Sequence, residues 1–96
     1  MAKGYWIVHV TVRDAAAYPA YLAADTLAFD KFEARFLVRG GQYEAPEGQS
    51  RSRHEVIEFA SYALALACYH SPQYQAAARL RQASADAEVV IVEGAG

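Results

Sequence analysis

Arg39 stands at the end of an apolar run and is followed at once by Gly40 and Gly41. A guanidinium is a planar fork that binds a carboxylate through two hydrogen bonds, and glycines without a Cβ let a ligand or another backbone come close. The combination is suited to holding an anion, and its alternative is an internal ion pair with Glu58 on a neighbouring strand. His9 lies mid-strand, where a neutral imidazole can act as a general base near physiological pH, or else serve as a hydrogen-bonded core or interface residue. Asp25 falls on the buried face of a helix, and its charge state depends on burial and on its neighbours. If the protein is an enzyme, proton transfer belongs to His9 or Asp25, in an isomerase-like or cofactor-free oxygenase-like step.

Tyrosine offers an apolar body with a polar tip that needs a partner. Tyr18, Tyr21, Tyr69 and Tyr74 lie at helix starts or on helix surfaces expected to face a sheet. They either pack the helix-to-sheet core or line a cleft, the usual form of a small-molecule site. In the second case Arg39, Tyr18, Tyr21, Tyr74 and Arg81 are the expected ligand-binding residues, with Arg79 and Arg81 at the mouth. The expected ligand is a small aromatic or carboxylate-bearing metabolite.

The remaining candidates read more plainly. His54 starts a strand beside a loop and is expected to be solvated, and His70 at a helix end is explained by the helix dipole. No two of the three histidines stand at helical spacing, so no metal site is expected unless packing brings His9 to His54. No cofactor is expected. Cys68, among Ala65, Ala67 and Tyr69, reads as a small hydrophobe rather than a nucleophile.

These residues need elements to position them. Tyr5 to Val12 is rich in β-branched and aromatic residues and reads as a strand. Its rows, Trp6, Val8, Val10, Val12 and Tyr5, Ile7, His9, Thr11, are both largely apolar, so both sheet faces should be covered. After a short turn at Asp14, a helix starts near Tyr18 with Pro19 in its first turn, and Tyr18, Tyr21, Leu22, Asp25, Phe29 and Phe32 recur at spacings of three and four. Arg35 to Tyr43 reads as the second strand, with a bulge or close approach at Gly40-Gly41. Glu44 to Ser52 is a loop, Arg53 to Phe59 the third strand, and Ser61 caps a helix through Cys68 and Tyr69. Ser71-Pro72 opens a further helix to about Ser84, and Glu88 to Glu93 is the last strand. Strand, helix, hairpin, helices, strand is the split βαβ order of a ferredoxin-like α+β domain, βαββαβ, with a four-stranded antiparallel sheet and helices on one face.

Composition bounds the rest. The 96 residues, 54% hydrophobic and 21% charged, fit one domain over residues 1–96 that buries roughly 60 to 70% of its unfolded surface. A net charge of −2 with no basic run argues against a nucleic-acid partner. The uncharged stretch Ser61 to Ala78 carries His70, Ser71, Gln73 and Gln75, so no membrane span is expected. Met1-Ala2-Lys3-Gly4-Tyr5 leads straight into a strand without a secretory pattern, and a single cysteine excludes an internal disulfide. A cytoplasmic location is expected. The apolar outer sheet face calls for a homodimer, formed sheet to sheet through an isologous contact.

Five ordered segments, Gly4-Tyr5-Trp6-Ile7, Phe36-Leu37-Val38-Arg39-Gly40-Gly41, Val56-Ile57-Glu58-Phe59, Tyr69-His70-Ser71-Pro72-Gln73-Tyr74 and Val90-Ile91-Val92-Glu93-Gly94, resemble the family known as domain of unknown function 1330. The resemblance implies a dimeric α+β barrel, in a superfamily that also holds cofactor-free monooxygenases, lactone isomerases and heme-handling proteins. It implies no particular reaction. The chain departs from the pattern at Asp25, where a small or apolar residue is usual, and at Glu33-Ala34, where Gly-Gly is usual. Two functions follow: a homodimeric small-molecule domain, or a noncatalytic domain whose polar residues only stabilise fold and dimer.

Overall fold

A computed structural model describes residues 2–96; Met1, with which the leader-free reading begins, lies outside the described residues. The elements are β1 (Gly4–Val12), α1 (Tyr18–Lys31), β2 (Arg35–Arg39), β3 (Arg53–Phe59), α2 (Tyr62–His70), α3 (Pro72–Ser84) and β4 (Ala85–Glu93). The sheet runs β2-β3-β1-β4 with every neighbouring pair antiparallel. Each crossover therefore spans one intervening strand, which is the ferredoxin-like α+β arrangement read from the sequence.

Local chemistry accounts for the element starts. Asp14 Oδ1 accepts from the backbone N–H groups of Ala16 and Ala17, which makes the turn ahead of α1, and Pro19 sits where a helix has no N–H partner to lose. The hydroxyls of Ser61 and Ser71 accept from Leu64 N–H at 3.1 Å and Tyr74 N–H at 3.2 Å, capping α2 and α3. Gly4 lets β1 touch the start of α2, because a Cβ there would lie 2.4 Å from the Ser61 carbonyl oxygen.

Two strand boundaries differ from expectation. β4 begins at Ala85, not Glu88, because pairing with Val10–Val12 extends alanines that would not choose a strand alone. β2 stops at Arg39, and the irregularity is not at Gly40-Gly41 but between Phe36 and Val38, where Leu37 bulges. Gly40 instead turns the chain out of the sheet at φ +67°.

The core lies between the helices and the row Trp6, Val8, Val10. Trp6 is fully buried, donates from Nε1 to the Ala65 carbonyl at 2.9 Å, and meets Phe29 and Tyr74 edge to face at 5.1 and 4.7 Å between ring centroids. The opposite face of the sheet carries Tyr5, Ile7, His9, Thr11, His54, Val56, Glu58, Glu88, Val90 and Val92. Among the described residues no helix is long and apolar enough to cross a membrane.

Candidate functional site

The helix-facing row of β3 reads Glu55, Ile57, Phe59, so one carboxylate enters an otherwise apolar surface. Glu55 is buried, and Arg53, two residues back on the same face, reaches its Oε2 from Nε at 3.0 Å and Nη2 at 2.9 Å. The guanidinium of Arg53 occupies the space over Gly40, where an added Cβ would come within 2.5 Å of it. The glycine is therefore needed for an internal side chain, not only for a ligand.

Across from this pair, α1 presents Tyr18, Tyr21 and Asp25, all buried. Asp25 has no exposed surface; its Oδ1 accepts from the Thr26 hydroxyl at 3.4 Å, and its Oδ2 is buried without a partner. Loss of water, then the nearby Glu55 carboxylate, raise its pKa to about 7, while Arg39, Thr26 and Tyr21 oppose the rise. Near neutrality this carboxyl is poised between donor and acceptor. The Tyr18 hydroxyl is also buried and unpartnered, and burial with help from Glu55 pushes its pKa up. Both groups thus offer proton-transfer or hydrogen-bonding capacity that the protein does not use.

Arg39 reaches the same side of the sheet. It lies over the Phe36 ring at 4.2 Å, is exposed, and makes no side-chain hydrogen bond or ion pair among the described residues. The expected alternative, a pair with Glu58, is not formed. Glu58 stands opposite Arg35 and accepts from the Tyr5 hydroxyl at 3.3 Å, while Arg39 stands opposite Glu55.

Behind Asp25, the Tyr21 and Tyr74 hydroxyls are 2.8 Å apart, and Arg81 donates from Nη1 to Tyr74 at 2.5 Å. Arg81 is not at a mouth; it is buried, and its guanidinium faces tyrosines rather than a carboxylate. Burial raises Tyr74 to about 12, so both phenols remain neutral hydrogen-bonding groups. Arg79 is exposed on α3.

His9 is on the other side of the sheet from Asp25, so the two proton-transfer candidates do not share a site. His9 stands directly opposite His54 in the β1–β3 register, with their Nδ1 atoms 2.7 Å apart. His54, read as solvated, is half-buried and packs under Tyr43. Cys68 is fully buried with its thiol pushed up to about 12, unsuited to nucleophilic chemistry. His70 is the last residue of α2.

Sequence reasoning missed Arg53 and Glu55. The signal was present in the alternation of β3, where a glutamate shares a row with Ile57 and Phe59. Such a carboxylate is either exposed on an edge or buried with a partner, and Arg53 is the partner in the same row.

A four-stranded antiparallel sheet, helices on one face and a buried acid-tyrosine cluster between them define a ferredoxin-like α+β protein. The chain belongs to the DUF1330 family, described as a domain of unknown function, whose pattern matches residues 3–95. No curated protein matches the chain. Among solved structures it is similar to RPA0582, a protein of unknown function from Rhodopseudomonas palustris, at 19% identity and TM-score 0.77 over 95% of this chain and 81% of that one. SnoaB, a cofactor-independent oxygenase from Streptomyces nogalater, is 14% identical with TM-score 0.66, over 96% of this chain and 92% of its own. A dimeric ferredoxin-like protein of unknown function from Jannaschia sp. CCS1 is 18% identical with TM-score 0.65, over 94% and 97%. At these identities the likeness is one of fold.

Proposed function

We propose that the protein is a homodimer that binds a small aromatic or carboxylate-bearing metabolite between α1, α3 and the sheet, with Asp25 as its proton-transfer group. The observation that carries this reading is the pair of buried groups without partners, Asp25 Oδ2 and the Tyr18 hydroxyl. A buried polar atom left unpaired costs about 1 to 3 kcal/mol, so two in one place point to a ligand that supplies the missing bonds. Arg39, free and stacked on Phe36 at the rim, would hold an anionic group of the ligand. Tyr21, backed by Tyr74 and Arg81, would hold Asp25 in orientation.

With a pKa near 7, Asp25 can take a proton from an acidic carbon of the ligand and return it to another, which is an isomerase-like step. The same deprotonation prepares an electron-rich carbanion or phenolate for dioxygen in a cofactor-free oxygenase-like step. SnoaB, of like fold, is a cofactor-independent oxygenase.

Dimer formation rests on the outer sheet face, where Val90 is 51%, Val92 40% and Val38 41% exposed. Similar folds described as dimeric agree with it.

The test is native mass spectrometry of freshly purified protein followed by a thermal-shift screen of aromatic and carboxylate metabolites. A ligand that raises the melting temperature of the wild type, but not of Arg39→Ala or Tyr18→Phe with an unchanged melt, supports the site. A second reading, a noncatalytic domain, is favoured by the self-satisfied Tyr21–Tyr74–Arg81 chain. It prevails if no ligand binds and Asp25→Asn only stabilises the fold.

A further inference from the structure

We propose that His9 and His54 form a chelating site for a divalent transition ion of tetragonal preference, copper(II) foremost, on the sheet face turned away from the helices. The two residues are 45 positions apart and lack any motif spacing, yet the antiparallel register makes them direct cross-strand partners on one face. Their Nδ1 atoms are 2.7 Å apart, and their rings meet at 72°. The contact is one hydrogen bond between the two Nδ1 atoms, and a metal ion about 2.0 Å from both, lying off the line that joins them, would take both lone pairs after a small turn of each ring.

The hydrogen bonds around His54 leave the right atom free. The Ser50 hydroxyl donates to the Arg51 carbonyl at 2.7 Å, so its oxygen accepts from Nε2–H of His54 at 3.3 Å. That assigns the His54 proton to Nε2 and leaves a lone pair on Nδ1. A hydroxyl on the far ring nitrogen is the usual outer support of a metal-bound imidazole. Tyr43, with its ring centroid 4.6 Å from that of His54, holds the ring from the other side.

Affinity order selects the ion. Two imidazole nitrogens at about 2.0 Å from one metal are about 2.9 Å apart when cis in a square plane and about 3.3 Å apart in a tetrahedron. The observed 2.7 Å is a hydrogen-bond distance from which either spacing is a short movement away, and the order of intrinsic affinities for nitrogen ligands favours copper(II) over zinc(II). Among the described residues no three or more His, Cys, Asp and Glu side chains converge on one point, so water completes the coordination. His9 lines a cleft of about 490 Å³ together with Thr11, Gln49, Ser50, Arg51 and Glu88, which gives an ion a way in from that side. Arg51 would repel a cation there, but it donates from Nε and Nη2 to the Glu88 carboxylate at 2.7 to 2.9 Å, which cancels its charge. The site lies at the polar end of the face, with Tyr5, Ile7, Val56, Val90 and Val92 at the other, so it does not depend on the ligand site around Asp25.

Copper(II) and zinc(II) titrations by calorimetry, with electron paramagnetic resonance of the copper form, test the proposal. The wild type should bind copper(II) more tightly than zinc(II), with a tetragonal spectrum split by two imidazole nitrogens. His9→Gln and His54→Gln should each weaken copper binding at least tenfold and reduce the splitting to one nitrogen, while His70→Gln changes neither. If one variant fails to melt cooperatively, the other variant and the wild-type spectrum carry the test. Wild-type binding no tighter than that of the double variant, or a spectrum unchanged in His54→Gln, overturns it.

Discussion

Arg39 and Glu55 stand opposite each other on the helix-facing side of the sheet because Leu37 bulges from β2. Arg35 faces away from the helices, opposite Glu58, and strict alternation would turn Arg39 the same way, opposite His54. One extra residue shifts every later side chain to the other face. Arg39 thereby comes close enough to Asp25 to restrain its pKa. Arg39→Ala should remove that restraint and raise the Asp25 pKa further, as read by carbon-13 titration of its carboxyl group. An unchanged titration would contradict this account.

Asp25 also ties stability to pH. Its folded pKa of about 7 lies above the ordinary 3.8, so between those values the folded state holds a proton that the unfolded chain has lost. Stability should therefore fall as pH rises from about 4 to about 7, by roughly 2 to 4 kcal/mol for a shift of this size. Asp25→Asn should flatten that slope and be the more stable protein at pH 8, measured by urea denaturation across the range. Equal slopes in both proteins would remove Asp25 as the cause.

The buried Arg81 guanidinium depends on Tyr74. Tyr74→Phe removes its acceptor and the partner of the Tyr21 hydroxyl together, at a cost of about 2 to 3 kcal/mol. Tyr21→Phe removes one neutral hydrogen bond and should cost about 1 kcal/mol. Chemical denaturation of both variants checks the order, and a Tyr21→Phe penalty as large as that of Tyr74→Phe would contradict it.

Glu33 holds φ +55°, a left-handed conformation that suits glycine. Relief of that strain, less the extra freedom of glycine in the unfolded chain, should make Glu33→Gly about 0.5 to 1 kcal/mol more stable. A lower melting temperature for the variant would argue against strain at this turn.

Val90→Glu places a charge at the centre of the apolar half of the outer face. Light scattering at micromolar concentration should show a dimer for the wild type and a monomer for the variant. A wild type that stays monomeric would end the sheet-to-sheet reading.

Much of the architecture was legible because local signals agreed with the global fold. Asp14, Pro19, Ser61 and Ser71-Pro72 marked helix starts through hydrogen bonds reaching only a few residues. The period-two rows of Tyr5 to Val12 assigned each side chain of β1 to its face. Asp25 was legible as an acid on the buried face of a helix, since α1 repeats at three and four.

Tertiary structure decided what lies between elements. Nothing in Phe36-Leu37-Val38 announces a bulge, because bulging reflects how β2 and β3 match in length and twist, and it determined which face Arg39 joined. The charge state of Asp25 came from lost water and from Glu55, 30 residues away. His9 met His54 through strand register, which sequence spacing does not encode. The sequence by itself determined the elements and the chemistry available on each, because propensity, capping and periodicity act within a few residues. Only the packed sheet decided which of those groups meet, because pairing register and burial belong to the whole chain.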